Sequence, residues 1–266
     1  MSFIGFLEGV HMKRFSWVAA SVFFLFLIWI IASLSVSQEW ILPGPISVFR
    51  AFFAIFGSSL GLYAIGSTLL RLAVAMSIAL LAGLLLGALG ALRPGFGHFM
   101  NPIVTVLRTV PVISIVVIVL ILAGFVRTPY IITFLMIFPL FYQAVSDGIR
   151  SINPELVDVF RLEDDRYFSG LWNCYLPLIR EQIKTALLQS AGLGIKVLVM
   201  AEFLAQTQPS IGNMLYLEKV NLHYDSVFAW TLLLILLAVG LEVMIQAAAK
   251  KRESGYSVIP KRNKLD

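Results

Sequence analysis

The sequence predicts an all-α membrane protein with about six transmembrane helices. Three observations carry that expectation. Hydrophobic residues make up 59% of the 266 positions, and charged residues only 13%. Mean hydropathy is +0.89. Long apolar runs recur along the chain, and a helix needs roughly 20 such residues to cross the hydrocarbon core. An ordinary soluble domain carries about 25% charged residues, so this composition excludes a cytosolic enzyme, a disordered chain and a secreted disulfide scaffold. The single cysteine, Cys174, permits no internal disulfide. His11, His98 and His223 are too dispersed for a local metal motif. No GxxxxGK[ST] segment is present, so the chain has no recognisable nucleotide-hydrolysing loop. No cofactor, no metal and no catalytic residue is expected.

Phe15 to Val36 gives 22 residues without a charge. The run is longer than a signal-peptide core, which spans about 7–15 residues, so it is expected to remain as an anchor. Leu72 to Leu92, between Arg71 and Arg93, gives 21. Thr109 to Val126 gives 18, and Thr128 to Ser146 gives 19. The fifth span runs from about Gln182 to Ala205 and the sixth from about Asp225 to Ala248.

Lysine and arginine set orientation. With the N-terminus inside, six spans place 14 of the 20 basic residues in cytoplasmic segments or at their edges. Both termini are therefore expected in the cytoplasm. Residues 1–14 form the N-terminal segment, 15–248 the transmembrane domain and 249–266 a basic tail. The net charge of +5 implies no nucleic acid, because the tail can lie against anionic lipid headgroups.

Between the first two spans, Leu42-Pro43-Gly44-Pro45 is a breaker cluster. Val48, Phe49, Phe52, Phe53 and Phe56 follow at helical spacing. Pro45 to Phe56 reads either as a short interfacial helix or as a loop packed on the helices. Ala79, Gly83, Gly87 and Ala91 share one face of the second span and allow another helix to approach closely. The spacing does not say which helix. Pro111 and Pro139 lie in the third and fourth spans. Proline breaks the hydrogen-bond ladder there, either to line a solute path or merely to bend the helix.

Residues 147–184 hold 12 of the 35 charges. In the loop at about 148–177, Asn153-Pro154-Glu155 reads as a helix start. Glu163, Asp164 and Asp165 separate an apolar face (Val157, Phe160, Leu162) from an aromatic stretch (Tyr167, Phe168, Trp172). A span would not tolerate these acids. The pattern suits a surface that docks into a groove on another protein, or a loop folded back on its own helices.

Two charges stand inside the fifth span. Lys196 is near its centre, where a lysine costs about 2.5–3.5 kcal/mol on insertion scales. Glu202 lies six residues on, about 120° round the helix, so the two do not pair along one face. Each is expected to meet a partner elsewhere. Lys196 lines a path for an anion, or it forms a structural ion pair.

In order along the chain stand Leu42-Pro43-Gly44-Pro45, the small-residue span, Arg108-Thr109-Val110-Pro111, Leu176-Pro177, Ala201-Glu202 and Ile211-Gly212. This order resembles the permease subunits of ABC importers for nitrate, sulfonates, taurine and related compounds, over roughly residues 42 to 248. The family's cytoplasmic signature is Glu-Ala-Ala, three residues, Gly, nine residues, Ile-x-Leu-Pro. Counted back from Pro177, Asp158, Val159 and Phe160 fall at Glu-Ala-Ala, Asp164 at the glycine and Cys174 at the isoleucine. Only the acid and the Leu-Pro match in kind.

The resemblance implies a type I ABC importer permease-like bundle with cytoplasmic coupling helices, in the inner membrane. It implies a homodimer, a separate cytoplasmic ATPase and an extracytoplasmic binding protein. Glu155, Asp158, Arg161, Asp164, Leu176 and Pro177 then become the ATPase-coupling candidates, and Arg108, Pro111, Lys196 and Glu202 the translocation-path candidates. The solute would be a small anion or a thiamine-precursor-like compound. A secondary transporter driven by an ion gradient is the alternative.

Overall fold

The computed structural model describes residues 3–36, 42–153, 155 and 175–256. Its long elements are helices α1 (Phe3–Val36), α2 (Pro45–Gly57), α3 (Ser59–Leu92), α4 (Pro94–Thr109), α5 (Val112–Arg150), α6 (Arg180–Ala205), α7 (Ile211–Val220) and α8 (Tyr224–Tyr256). Leu176–Leu178 adds one helical turn before α6. Four helices are long and apolar enough to cross a membrane: α3, α5, α6 and α8 over Tyr224–Ala249. α1 contributes the apolar stretch Ala20–Ser35.

α5 is 39 residues long but is not one rod. Gly124 takes φ 75° and ψ 175°, a backbone that side chains with a Cβ rarely adopt. Val116 and Ile132 share one buried cluster, although sixteen residues of straight helix would hold them about 24 Å apart. Arg108 also reaches Gln143. The chain therefore doubles back at Gly124. The two limbs, Val112 to Ala123 and Phe125 to Arg150, correspond to the third and fourth predicted spans. With α1, α3, α6 and α8 these two limbs match the six predicted spans in order, and the apolar α2 (Pro45–Gly57) is a shorter addition.

Three boundary expectations need correction. The third predicted span starts too early at Thr109: that residue ends α4, whose Pro, Gly, His and Asn content hid it as a helix, and the limb itself begins at Val112. Pro111 does not kink a continuous helix. Val110 and Pro111 are extended (ψ 132° and 126°), and Pro111 caps α5, as expected where proline forces its predecessor out of the helical region. Pro139 lies within α5, whose non-helical residue is Gly124. Finally, α3 starts at Ser59, so Arg71 lies inside that helix rather than at its edge.

Two compact units can be distinguished. The first comprises residues 1–59 and 215–233. Here Trp29 stacks on Phe228 with ring centroids 6.2 Å apart and donates to the Pro43 carbonyl at 3.2 Å. Pro45 starts α2, which buries Val48 and Ile55 and leaves Phe49, Phe53 and Phe56 exposed. The short-helix alternative for this segment is thus the observed one.

The second unit comprises 60–214 and 234–266. The small-residue face of α3 packs on α5. A Cβ on Gly83 would overlap Phe141, and one on Gly87 would lie 2.8 Å from the Tyr142 carbonyl and 2.9 Å from Val145. α5 and α6 pair antiparallel: Gly148 meets Ile179, while Gly194 meets Ile137 and Thr133.

Candidate functional site

Two polar constellations lie in the second unit. The first is closed. Glu202 is fully buried on α6 and Arg71 is buried on α3. Arg71 Nη1 lies 2.9 Å from Glu202 Oε1 and donates to the Pro209 carbonyl at 2.9 Å. Thr68 donates to Glu202 Oε2 at 2.9 Å and accepts from the Ile211 N–H at 3.0 Å. The Gly212 N–H donates to Glu202 Oε2 at 3.3 Å. A carboxylate, a guanidinium, a hydroxyl and two backbone amides thus satisfy one another out of water, which is what a buried ion pair requires.

Backbone geometry makes this closure possible. Gln206 caps α6 in the left-handed conformation (φ 50°, ψ 38°) and turns the chain back. Ser67 donates to the Pro209 carbonyl at 2.6 Å, and Thr207 to the Phe125 carbonyl at 2.6 Å. Gly212 then lies so close to α6 that a Cβ there would stand 2.5 Å from the Phe203 nitrogen. The Ala201-Glu202 and Ile211-Gly212 motifs are two sides of this clasp. Sequence reasoning singled out Glu202 but missed Arg71 and Thr68. The available signal was that Arg71, like Glu202, interrupts an apolar run.

The second constellation is open. On α6, Gln182, Thr185, Gln189 and Lys196 are all exposed. At 3.6 residues per turn they fall within about 60° of one another. They form a polar stripe along a helix apolar enough to span a membrane. Beside it lies a cleft of about 510 Å³ whose lining includes Gln143, Asp147 and Ser151 of the α5 end and Glu181, Gln182 and Gln189 of α6. Arg108, exposed at the end of α4, donates to Gln143 Oε1 at 2.8 Å. Lys196 stands seven residues beyond Gln189, about 10 Å along the axis.

The path candidates therefore separate. Arg108 and Lys196 lie on exposed surface, Pro111 shapes the α4–α5 junction, and Glu202 sits in the buried clasp. The structure does not bring Lys196 and Glu202 together. Among the coupling candidates, Asn153 Oδ1 accepts from the Glu155 N–H at 3.0 Å, the cap expected there. Leu176 and Pro177 form the turn before α6. Asp158, Arg161 and Asp164 lie outside the described residues. Among those described, no group of three metal-ligating side chains occurs.

Comparison with known proteins follows the same lines. A family model described as "Binding-protein-dependent transport system inner membrane component" matches residues 79–254. The chain is 24% identical over 261 residues to the taurine transport system permease protein TauC of Escherichia coli K12, covering 92% of this chain and 94% of the relative. It is 22% identical over 222 residues to the putative aliphatic sulfonates transport permease protein SsuC of Bacillus subtilis 168, covering 82% and 80%.

Proposed function

This chain belongs to the family of inner membrane components of binding-protein-dependent transport systems, and from that premise we propose that it forms the path of an ABC importer for a small organic anion of the sulfonate type. The observation that carries the proposal is the polar stripe of Gln182, Thr185, Gln189 and Lys196 on α6. Lipid compensates neither amides nor an ammonium, so such a face belongs against water or a second subunit. Lys196 gives that face a cation and Arg108, bonded to Gln143 of the neighbouring cleft, gives a second, the charge that a sulfonate needs. The names of the relatives, taurine and aliphatic sulfonate permeases, support the same solute class.

In this reading two copies of the chain meet around the path, with both termini cytoplasmic and the whole in the inner membrane. A separate ATPase binds the loop at about 148–177 through Glu155, Asp158, Arg161, Asp164, Leu176 and Pro177. A binding protein delivers solute from the other side. ATP-driven closure of the ATPase rocks the permease halves, an alternation of access about the interface. The chain itself makes and breaks no covalent bond. Glu202 and Arg71 hold the scaffold together, and the solute passes Arg108 and Lys196.

The test is uptake of labelled taurine and of an alkanesulfonate into proteoliposomes. These hold the permease with its cognate ATPase and binding protein. Uptake is expected to need ATP and both partners, and Asp158→Lys is expected to abolish it while the permease stays folded. Uptake by the permease alone, driven by an ion gradient, would overturn the proposal in favour of a secondary transporter.

A further inference from the structure

A second acid meets the helix that carries Lys196. Glu242 lies on α8, within the stretch apolar enough to span a membrane. A Cβ built on Gly192 would stand 3.3 Å from Glu242 Oε1, so the carboxylate rests against α6 at a glycine. Gly192 and Lys196 are four residues apart and share a face. Helical side chains lean toward the N-terminus and cover the preceding turn. Lys196 therefore stands one turn beyond the point where the Glu242 carboxylate meets α6. Both residues are exposed. No ion pair within 4.0 Å joins them in this structure, and neither makes another ion pair or side-chain hydrogen bond among the described residues.

We infer that Glu242 is the resting counter-charge of Lys196 and sets the strength with which the path attracts anions. The inference rests on the reading of the α6 stripe as a water-filled path. Alone in an apolar span, an ammonium is costly and a strong trap for any anion. A carboxylate one helical turn away lowers both effects without closing the site. The passing anion displaces the weak attraction of Glu242, and the lysine is handed back when the anion leaves. Gly192 is the notch that makes the arrangement possible. A larger residue there would push the carboxylate off the face.

The test needs no knowledge of the solute. In full-length permease with Cys174→Ser, Gln189→Cys places a thiol on the stripe. Its modification rates with a permanently anionic and a permanently cationic methanethiosulfonate are compared in membrane vesicles. Two unit charges a turn apart interact appreciably even in a wet site, so Glu242→Gln is expected to raise the anionic-to-cationic rate ratio by roughly tenfold. Lys196→Gln should lower it comparably. Glu242→Ala should repeat the Glu242→Gln shift, which separates lost charge from altered packing. If the thiol reacts but both Glu242 variants leave the ratio within about twofold of the parent, a shift too small for a charge one turn away, the inference is overturned and the path reading stands. If the thiol reacts with neither reagent in folded protein, the path reading falls, and the inference falls with it.

Discussion

Arg71 and Lys196 are both cations set in strongly apolar helices, and the fold treats them in opposite ways. Arg71 is turned inward onto Glu202 and the Pro209 carbonyl, out of water. Lys196 is left on the surface of its helix, in line with Gln189 and Thr185, and the Glu242 carboxylate meets the same helix one turn earlier, at Gly192. The first arrangement holds two helices and a loop together. The second keeps a charge available. A charge inside a span therefore has two very different meanings, and what separates them is whether its partners are fixed.

The strongest challenge to this contrast is to break the clasp. Glu202→Gln leaves Arg71 buried without a counter-charge, which costs about 3–5 kcal/mol. A large fall in the melting temperature of the detergent-purified permease is expected, and Arg71→Met in the same chain should recover part of it. An unchanged melting temperature for Glu202→Gln would show that the clasp is not the scaffold's anchor.

A smaller effect is expected where α3 packs on α5. Gly87→Ala puts a methyl group against the Tyr142 carbonyl and Val145, and overpacking of this kind costs about 1–3 kcal/mol. Gly66→Ala, with open space around it, serves as the neutral control. Equal melting temperatures for the two variants would contradict the close approach.

The smallest effect on stability is expected at Lys196. Lys196→Met should shift stability by no more than about 0.5 kcal/mol, as for a surface site without a closed ion pair, while uptake falls severalfold. Side-by-side melting and transport assays on one preparation decide the matter. Damage on the scale of Glu202→Gln would mean that Lys196 is also structural, and the contrast would collapse.

Much of this was legible in the residues. The Ala79-Gly83-Gly87-Ala91 spacing announced a close helix contact, because period and size alone determine that. Its partner on α5 was not legible, since the register of two helices is a property of the folded pair. Counting uncharged runs placed the limbs of α5 but put the start of α3 at the wrong end of Arg71. An arginine reads as a boundary only until an acid 131 residues away neutralises it. Prolines misled in a similar way. Pro139 looks like a breaker, while the reversal falls at Gly124, one unremarked glycine among apolar neighbours. Among the site residues, Lys196 was conspicuous because it lacks company in its run. Glu242 stood out as an acid in the last span, but its neighbour did not, because nothing in a one-dimensional reading places α8 beside Gly192.

The clasp also acts as a ruler. Its carboxylate accepts from Thr68 on one side and from Gly212 on the other, while Arg71 grips the carbonyl of Pro209 between them. The stretch from Gln206 to Ile211 is thereby measured at both ends against α3. One residue more or fewer would leave the Pro209 carbonyl or the Gly212 amide out of register with a group that cannot move. Loop length here is therefore set as tightly as side-chain identity, and this turn, though it joins two helices, is a poor place for an insertion.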